Sequence, residues 1–301
     1  MVSGEIDFPV PDAGKPCKTW YNVIGDRHKS RPLVALHGGP GASHDYLKPL
    51  YALSRLHGIP VILYDQLGNG KSTHLPEKAG DTSFWTVDLF LKELDNLLVY
   101  LGIQDDYDLL GHSWGGMLAA CHAVRQPPGL KRLIIASSPA DMGLWVSAQN
   151  ALRAKLEQAT QDIMAKHENE GTTDNKEYEE AVDVFYKRHL CTLDPWPESV
   201  SSTMNWIKED PTVYLTMNGP NEFYITGSLK TWSIIDQIDR IIVPTLLTNG
   251  RFDEAQDSTM LPFFQKIPRV KWVTLEKSGH MPHQEEEARY IEVLYQFLIT
   301  G

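Results

Sequence analysis

The sequence predicts an α/β protein, with a mostly parallel, doubly wound sheet interrupted by a helical insertion. Three observations predict it. Short apolar runs bounded by turn residues alternate with amphipathic stretches, as parallel strands buried on both faces require. Two of these runs, ending at Leu36 and Leu110, empty directly into glycine-rich segments, the pattern of strand ends that carry a ligand site. Between residues 141 and 232 the strand runs stop and charged, helix-like stretches take over, until strands resume at Ile241. The chain accordingly divides into a core made of residues 1–140 and 233–301 and an inserted helical cap, or lid, of residues 141–232.

Composition narrows the function. The 301 residues are 42% hydrophobic, and no apolar run approaches the roughly 18 residues of a membrane helix. Met1-Val2-Ser3-Gly4-Glu5-Ile6-Asp7 lacks the basic start and apolar core of a signal peptide. Cys17, Cys121 and Cys191 are sparse and lack CxxC spacing, which argues against a disulfide scaffold or zinc site and for a reducing, cytoplasmic setting. A net charge of −11 disfavours nucleic acid and anionic membrane as partners. A monomer or small homo-oligomer is expected, with neither metal nor cofactor.

Taken in order, residues 18–23 read as an early edge strand rich in aromatic and β-branched types. Pro32-Leu33-Val34-Ala35-Leu36 is a buried strand, and His37-Gly38-Gly39-Pro40-Gly41 follows it. Bare backbone amides at this strand end suit one half of an oxyanion hole, from Gly39 or Gly38. His37 suits loop shaping better than catalysis. Residues 44–57 read as helical and residues 60–65 as the next strand. Asp65-Gln66-Leu67-Gly68-Asn69-Gly70-Lys71-Ser72 resembles a phosphate loop superficially but lacks its four-residue spacer, so a structural turn is expected. An amphipathic helix runs from Phe84 to Leu101 and stops at Gly102.

The decisive segment comes next. Tyr107-Asp108-Leu109-Leu110 is a strand, and a helix-like run begins at Gly116. Between them lies Gly111-His112-Ser113-Trp114-Gly115, a G-x-S-x-G elbow in the strand–turn–helix context that it requires. Such a turn lifts the Ser113 hydroxyl above the sheet and aims the Trp114 amide at a developing oxyanion. Residues 130–137 form another strand.

Cap helices are expected at 145–170, 176–190 and 198–208, before an Asn218-Gly219-Pro220-Asn221-Glu222-Phe223 turn whose carboxylate can receive a cation. After a strand at 241–248, Asp253 stands at the strand's carboxyl side, in the order Ser…Asp…His. Asp257 and Asp236 are its competitors. A last strand spans 270–275. His280 occupies the loop where a general base is expected, with His283 ranked second, and a helix runs from about Glu285 to Leu298. Ser113, His280 and Asp253 thus form a candidate nucleophile, base and orienting acid.

These motifs resemble the proline iminopeptidase family of α/β-hydrolase serine peptidases. The resemblance rests on His37-Gly38-Gly39-Pro40-Gly41, Asp65-Gln66-x-Gly68-x-Gly70-x-Ser72, Gly111-x-Ser113-Trp114-Gly115, Asn218-Gly219-Pro220-Asn221-Glu222 and Gly250-x-Phe252-Asp253-Glu254. It runs from about residue 20 to the end, cap included. The nearest branch resembles the tricorn-interacting aminopeptidase and L-amino-acid amidases. That resemblance implies an α/β-hydrolase fold and release of an N-terminal residue, proline among the candidates, from short peptides or amino-acid amides. It also implies that Glu222 and Glu254 hold the substrate's α-amino group. Two residues depart from the family pattern. Leu67 stands where many members have arginine, and Arg251 stands where an acidic residue often lies, which puts positive charge near the amine site. The alternatives are an esterase or amidase of a biosynthetic pathway with no free-amine requirement, and a non-catalytic ligand receptor on the same fold.

Overall fold

The computed structural model describes residues 1–300. Its eight strands form one sheet in the order β1-β2-β4-β3-β5-β6-β7-β8. They are β1 (Val2–Phe8), β2 (Cys17–Ile24), β3 (Leu33–Leu36), β4 (Val61–Asp65), β5 (Tyr107–His112), β6 (Leu130–Ala136), β7 (Thr245–Gly250) and β8 (Val270–Leu275). β1–β2 and β2–β4 pair antiparallel, and every later pair is parallel. β3, β4 and β5 are buried along their whole length, which is why they read as short, mainly apolar runs, broken in β5 by the buried Asp108.

The edge-strand expectation for residues 18–23 needs correction. β2 lies one strand inside, and β1 covers it. β1 escapes a hydrophobicity reading because only Ile6 and Phe8 of its seven residues are buried. The other side faces solvent, so no apolar run marks it.

Core helices connect the strands or follow the last of them. They are α1 (Tyr51–His57), α2 (Val87–Tyr100), α3 (Trp114–Ala123), α9 (Asp257–Lys266), the short α10 (Pro282–Glu285) and α11 (Glu287–Thr300). Thr86 caps α2, its side chain accepting the Leu89 amide, an interaction worth about 1 kcal/mol. The helix expected over 44–57 is split. Pro49 removes an amide donor, and Asp45–Leu50 winds as a 3₁₀ turn before α1.

Between β6 and β7 come α4 (Met142–Arg153), α5 (Gln158–Glu170), α6 (Lys176–His189), α7 (Glu198–Glu209) and α8 (Thr212–Met217). The single helix expected at 145–170 is therefore two, parted at residues 154–157. The segment leaves and re-enters the core at one point, since Asp141 and Ser233 form an isolated antiparallel bridge. No helix among the described residues is long and apolar enough to cross a membrane.

One buried polar group carries a testable consequence. Glu93 on α2 is fully buried and accepts the Thr19 hydroxyl at 2.5 Å and the Leu67 amide at 2.9 Å. Burial pushes its carboxyl up to about 8, more than these hydrogen bonds offset. A raised folded-state value means the folded chain holds this proton more tightly than the unfolded one. That contribution is complete below the ordinary 4.5 and is lost as pH rises through about 8. Glu93→Gln keeps an acceptor and removes the ionisation. The wild type is therefore expected to lose stability relative to this variant between those values, read as a widening difference in Tm. Parallel Tm curves would show that Glu93 does not titrate in the fold.

Candidate active site

At the elbow, β5 ends at His112 and α3 starts at Trp114. Ser113 between them adopts φ 56°, ψ −125°, a left-handed conformation that side chains other than glycine seldom hold. The flanking glycines are steric necessities. A Cβ on Gly111 would sit 2.0 Å from the Gly115 carbonyl oxygen, and one on Gly115 would sit 2.2 Å from that of Leu36. Trp114 is the first residue of α3, so its amide has no partner inside the helix and points out of the helix's positive end. Gln66, at the end of β4, accepts the Trp114 indole N–H at 2.9 Å.

The loop after β3 lies beside this elbow. Of the two glycine amides considered for an oxyanion, that of Gly38 is already committed: it donates to the Tyr46 hydroxyl at 2.7 Å. The Gly39 amide remains, with Gly39 lining the same cavity as Ser113. His37 uses both ring nitrogens on the backbone. Nε2 accepts the Gln66 amide at 2.9 Å, which leaves Nδ1–H to donate to the Gly38 carbonyl at 3.0 Å. The 65–72 loop closes on itself, the Ser72 hydroxyl donating to the Asp65 carbonyl and the Lys71 amide to Asp65 Oδ2.

Asp253 follows β7 and is fully buried. His280 Nδ1 donates to Asp253 Oδ1 at 2.7 Å, and the carboxylate also accepts the Gly250 and Ala255 amides. Asp236 and Asp257 are exposed, and Asp257 accepts from Asn249 instead. His283 is buried against Tyr46 and His112, and burial with the nearby His280 pushes it down to about 3. His280 behaves differently. Burial lowers it, but Asp253, Glu254 and Glu222 outweigh burial and raise it to about 9.

Ser113, His280, Glu222 and Glu254 all line one cavity of about 350 Å³, walled largely by residues of the inserted helices. No hydrogen bond among the described residues joins Ser113 to His280; His280 Nε2 instead faces Glu254 Oε1 at 3.7 Å. Glu254 is 0% exposed, and neither of its carboxyl oxygens has a hydrogen-bond partner. Glu222 accepts the Tyr214 hydroxyl at 2.8 Å. Burial raises both carboxyls, that of Glu254 the more strongly. A buried carboxyl without a hydrogen-bond partner is expensive, so Glu254, with Glu222 on the same cavity, is suited to receive a cation.

A model of the alpha/beta hydrolase fold family matches residues 31–287. A proline iminopeptidase of Saccharolobus solfataricus is 39% identical over 93% of this chain and 88% of its own. One from Heyndrickxia coagulans is 38% identical over 89% of this chain and 90% of its own. The chain belongs to the proline iminopeptidase family of α/β-hydrolases. Among solved structures, the proline iminopeptidase of Mycobacterium smegmatis superposes with a TM-score of 0.88 at 41% identity, covering 98% of this chain and 97% of that one. The crystal structure of VinJ superposes with a TM-score of 0.94 at 48% identity, covering 99% and 98%.

Two residues of this iminopeptidase-family site are not singled out by the sequence. Trp145 and Gln149 lie one turn apart on α4. Their side-chain N–H groups bond the backbone carbonyls of Glu222, at 2.5 Å, and of Glu254, at 3.0 Å. One helix face thereby holds both carboxylate-bearing segments. Their spacing of four on a helix is a detectable signal, but nothing in the sequence names their distant partners. The charge expected from Arg251 does not reach the site, because its side chain is exposed and lies outside the cavity lining. Leu67 is buried in the core and contributes its amide to Glu93.

Proposed function

We propose that this enzyme releases an N-terminal residue, proline among those accepted, from short peptides or amino-acid amides. Ser113 Oγ attacks the scissile carbonyl, and its proton passes to His280 Nε2. His280 then gives that proton to the leaving amine as the C–N bond breaks, leaving an ester on Ser113. A water then loses its proton to His280 as it attacks the ester, and His280 returns that proton to Ser113 Oγ as the acyl C–O bond breaks and the acid leaves. Asp253 keeps the imidazole oriented and offsets its positive charge. The Trp114 and Gly39 amides hold the oxyanion. Glu222 and Glu254 bind the α-ammonium, and residues 141–232 act as the cap that excludes water.

A single observation carries this reading: the Glu254 carboxyl, wholly buried and without a hydrogen-bond partner, 3.7 Å from the His280 nitrogen that would handle the proton. A cation placed there is bound next to the reacting carbonyl, which selects the first residue of a chain. The named relatives support it, as both curated ones are called proline iminopeptidases.

The test is a panel of aminoacyl-β-naphthylamides, proline included, each with its N-acetyl counterpart. Cleavage confined to the free-amine members is expected. Equal rates on acetylated and free substrates would remove the amine clamp from the reading, and the preferred side chain reports whether proline is favoured.

A further inference from the structure

We propose that Tyr46 and His112 are positioning residues that lock the oxyanion loop to the loop carrying His280. This rests on the roles given above to Gly39 and His280. Tyr46 stands on the 3₁₀ turn Asp45–Leu50, and His112 is the residue before Ser113; each is 2% exposed. The His112 ring edge meets the Tyr46, His280 and His283 rings.

The hydrogen-bond directions follow from the partners. His112 Nε2 lies 2.7 Å from the His280 backbone carbonyl, which can only accept, so Nε2 carries the proton. Burial, reinforced by His280 and His283, keeps the ring neutral, so Nδ1 is an acceptor. The Tyr46 hydroxyl, 2.9 Å from Nδ1, must then donate to it. The same hydroxyl accepts the Gly38 amide at 2.7 Å. One continuous chain results: Gly38 N–H to Tyr46, Tyr46 O–H to His112, and His112 N–H to the His280 carbonyl. A single tautomer satisfies it, and bonds in such chains strengthen one another.

Both ends of the chain fall on functional backbone. At one end the Gly38 N–H is tied to Tyr46 while its C=O is tied to His37. The Gly38–Gly39 peptide is trans, so fixing that carbonyl fixes the opposite heading of the Gly39 N–H. At the other end the His280 carbonyl is tied to His112 while its amide donates to the His189 carbonyl at 2.9 Å. A core residue at position 46 or 112 needs only bulk to pack; these two instead set the relative positions of an oxyanion donor and a base. Losing an interaction that matters chiefly in the transition state lowers kcat more than it raises KM.

Tyr46→Phe removes one oxygen and keeps the ring contacts. We expect kcat on the cleaved naphthylamide to fall roughly 10- to 100-fold, short of the full loss of an oxyanion donor, with KM within about twofold. Affinity for an aminoacyl boronate, which places an oxygen in the oxyanion position, is expected to fall in parallel. Affinity for the free amino acid product is expected to hold. His112→Gln is expected to behave alike, and the double variant to lose little more than either single one, because both cut the same chain. If Ser113→Ala kept its turnover, the underlying reading would fail. If Ser113→Ala is inactive while Tyr46→Phe and His112→Gln retain kcat and boronate affinity, this inference alone is overturned. Unfolding of both variants at assay temperature would assign the pair to stability and overturn it equally.

Discussion

Ser113→Ala is expected to reduce turnover by roughly 10⁴- to 10⁶-fold while the protein stays folded, because the proposed nucleophile, base and acid would act as one unit. The residual rate would come from the oxyanion amides and from binding. The fold should survive for a geometric reason. Ser113 makes no side-chain hydrogen bond that caps α3, and its φ of 56° is imposed by the close approach of Gly115 to β3. Alanine inherits that backbone strain, whereas glycine relieves it. Ser113→Gly should therefore be equally inactive yet more stable than Ser113→Ala by about 1–3 kcal/mol, the usual cost of such a conformation. Activity assays with thermal or denaturant unfolding of both variants check this. Retained turnover in either one would show that another group is the nucleophile. An alanine variant as stable as the glycine variant would show that the elbow is unstrained.

Glu254→Gln is expected to invert substrate preference rather than simply reduce activity. With a free-amine substrate the variant loses one member of a buried charge pair, a cost of about 3 kcal/mol, so kcat/KM should drop roughly 10²-fold. With an amine-free ester the change should run the other way near neutral pH. His280 is faced by Asp253 and Glu254 from the loop after β7, by Glu222 from the turn after α8, by His112 from β5 and by His283 from α10. The carboxylates dominate and hold it at about 9. A base must be neutral to accept a proton, so the acid limb of kcat/KM on the ester, which reports the free enzyme, should lie near pH 9. Glu254→Gln removes the Coulombic contribution by which Glu254 raises the imidazole, and moves that limb to lower pH. More His280 is then neutral at pH 7, and ester hydrolysis rises. On the proposed reading the substrate ammonium would play the same part in the wild type, countering the carboxylates as it binds. Equal losses on amine and ester substrates, with an unmoved limb, would show that Glu254 supports the fold rather than the site.

The interior of the fold was legible in the sequence because β3, β4 and β5 are buried on every residue and leave short, mainly apolar runs. β1 was not, because Ile6 and Phe8 alone are buried and its place outside β2 is a pairing between segments that neither sequence announces. The break between α4 and α5 was missed for a related reason: residues 154–157 carry no glycine or proline to mark it.

The site divides along the same line. Ser113, Asp253 and His280 each stand just beyond a strand, and the strand-then-turn pattern can be read locally. The side chains that distinguish one candidate from its neighbour cannot be, because their partners are remote in the chain. Gly38 and Gly39 are equivalent as letters, and only Tyr46, reaching across from its 3₁₀ turn, commits the amide of one and leaves the other. His280 and His283 stand three apart on one segment, yet one meets Asp253 and the other is buried among Tyr46, His112 and Tyr290. Trp145 and Gln149 bond carbonyls 77 and 105 residues away. The sequence by itself determined the sheet interior, the elbow and the residue types at the strand ends, since these follow from local sterics and burial pattern. Tertiary structure alone decided which amide is free, which histidine carries raised proton affinity and which carboxyl is left without a hydrogen-bond partner, since hydrogen-bond partnership and desolvation depend on what the folded chain brings alongside.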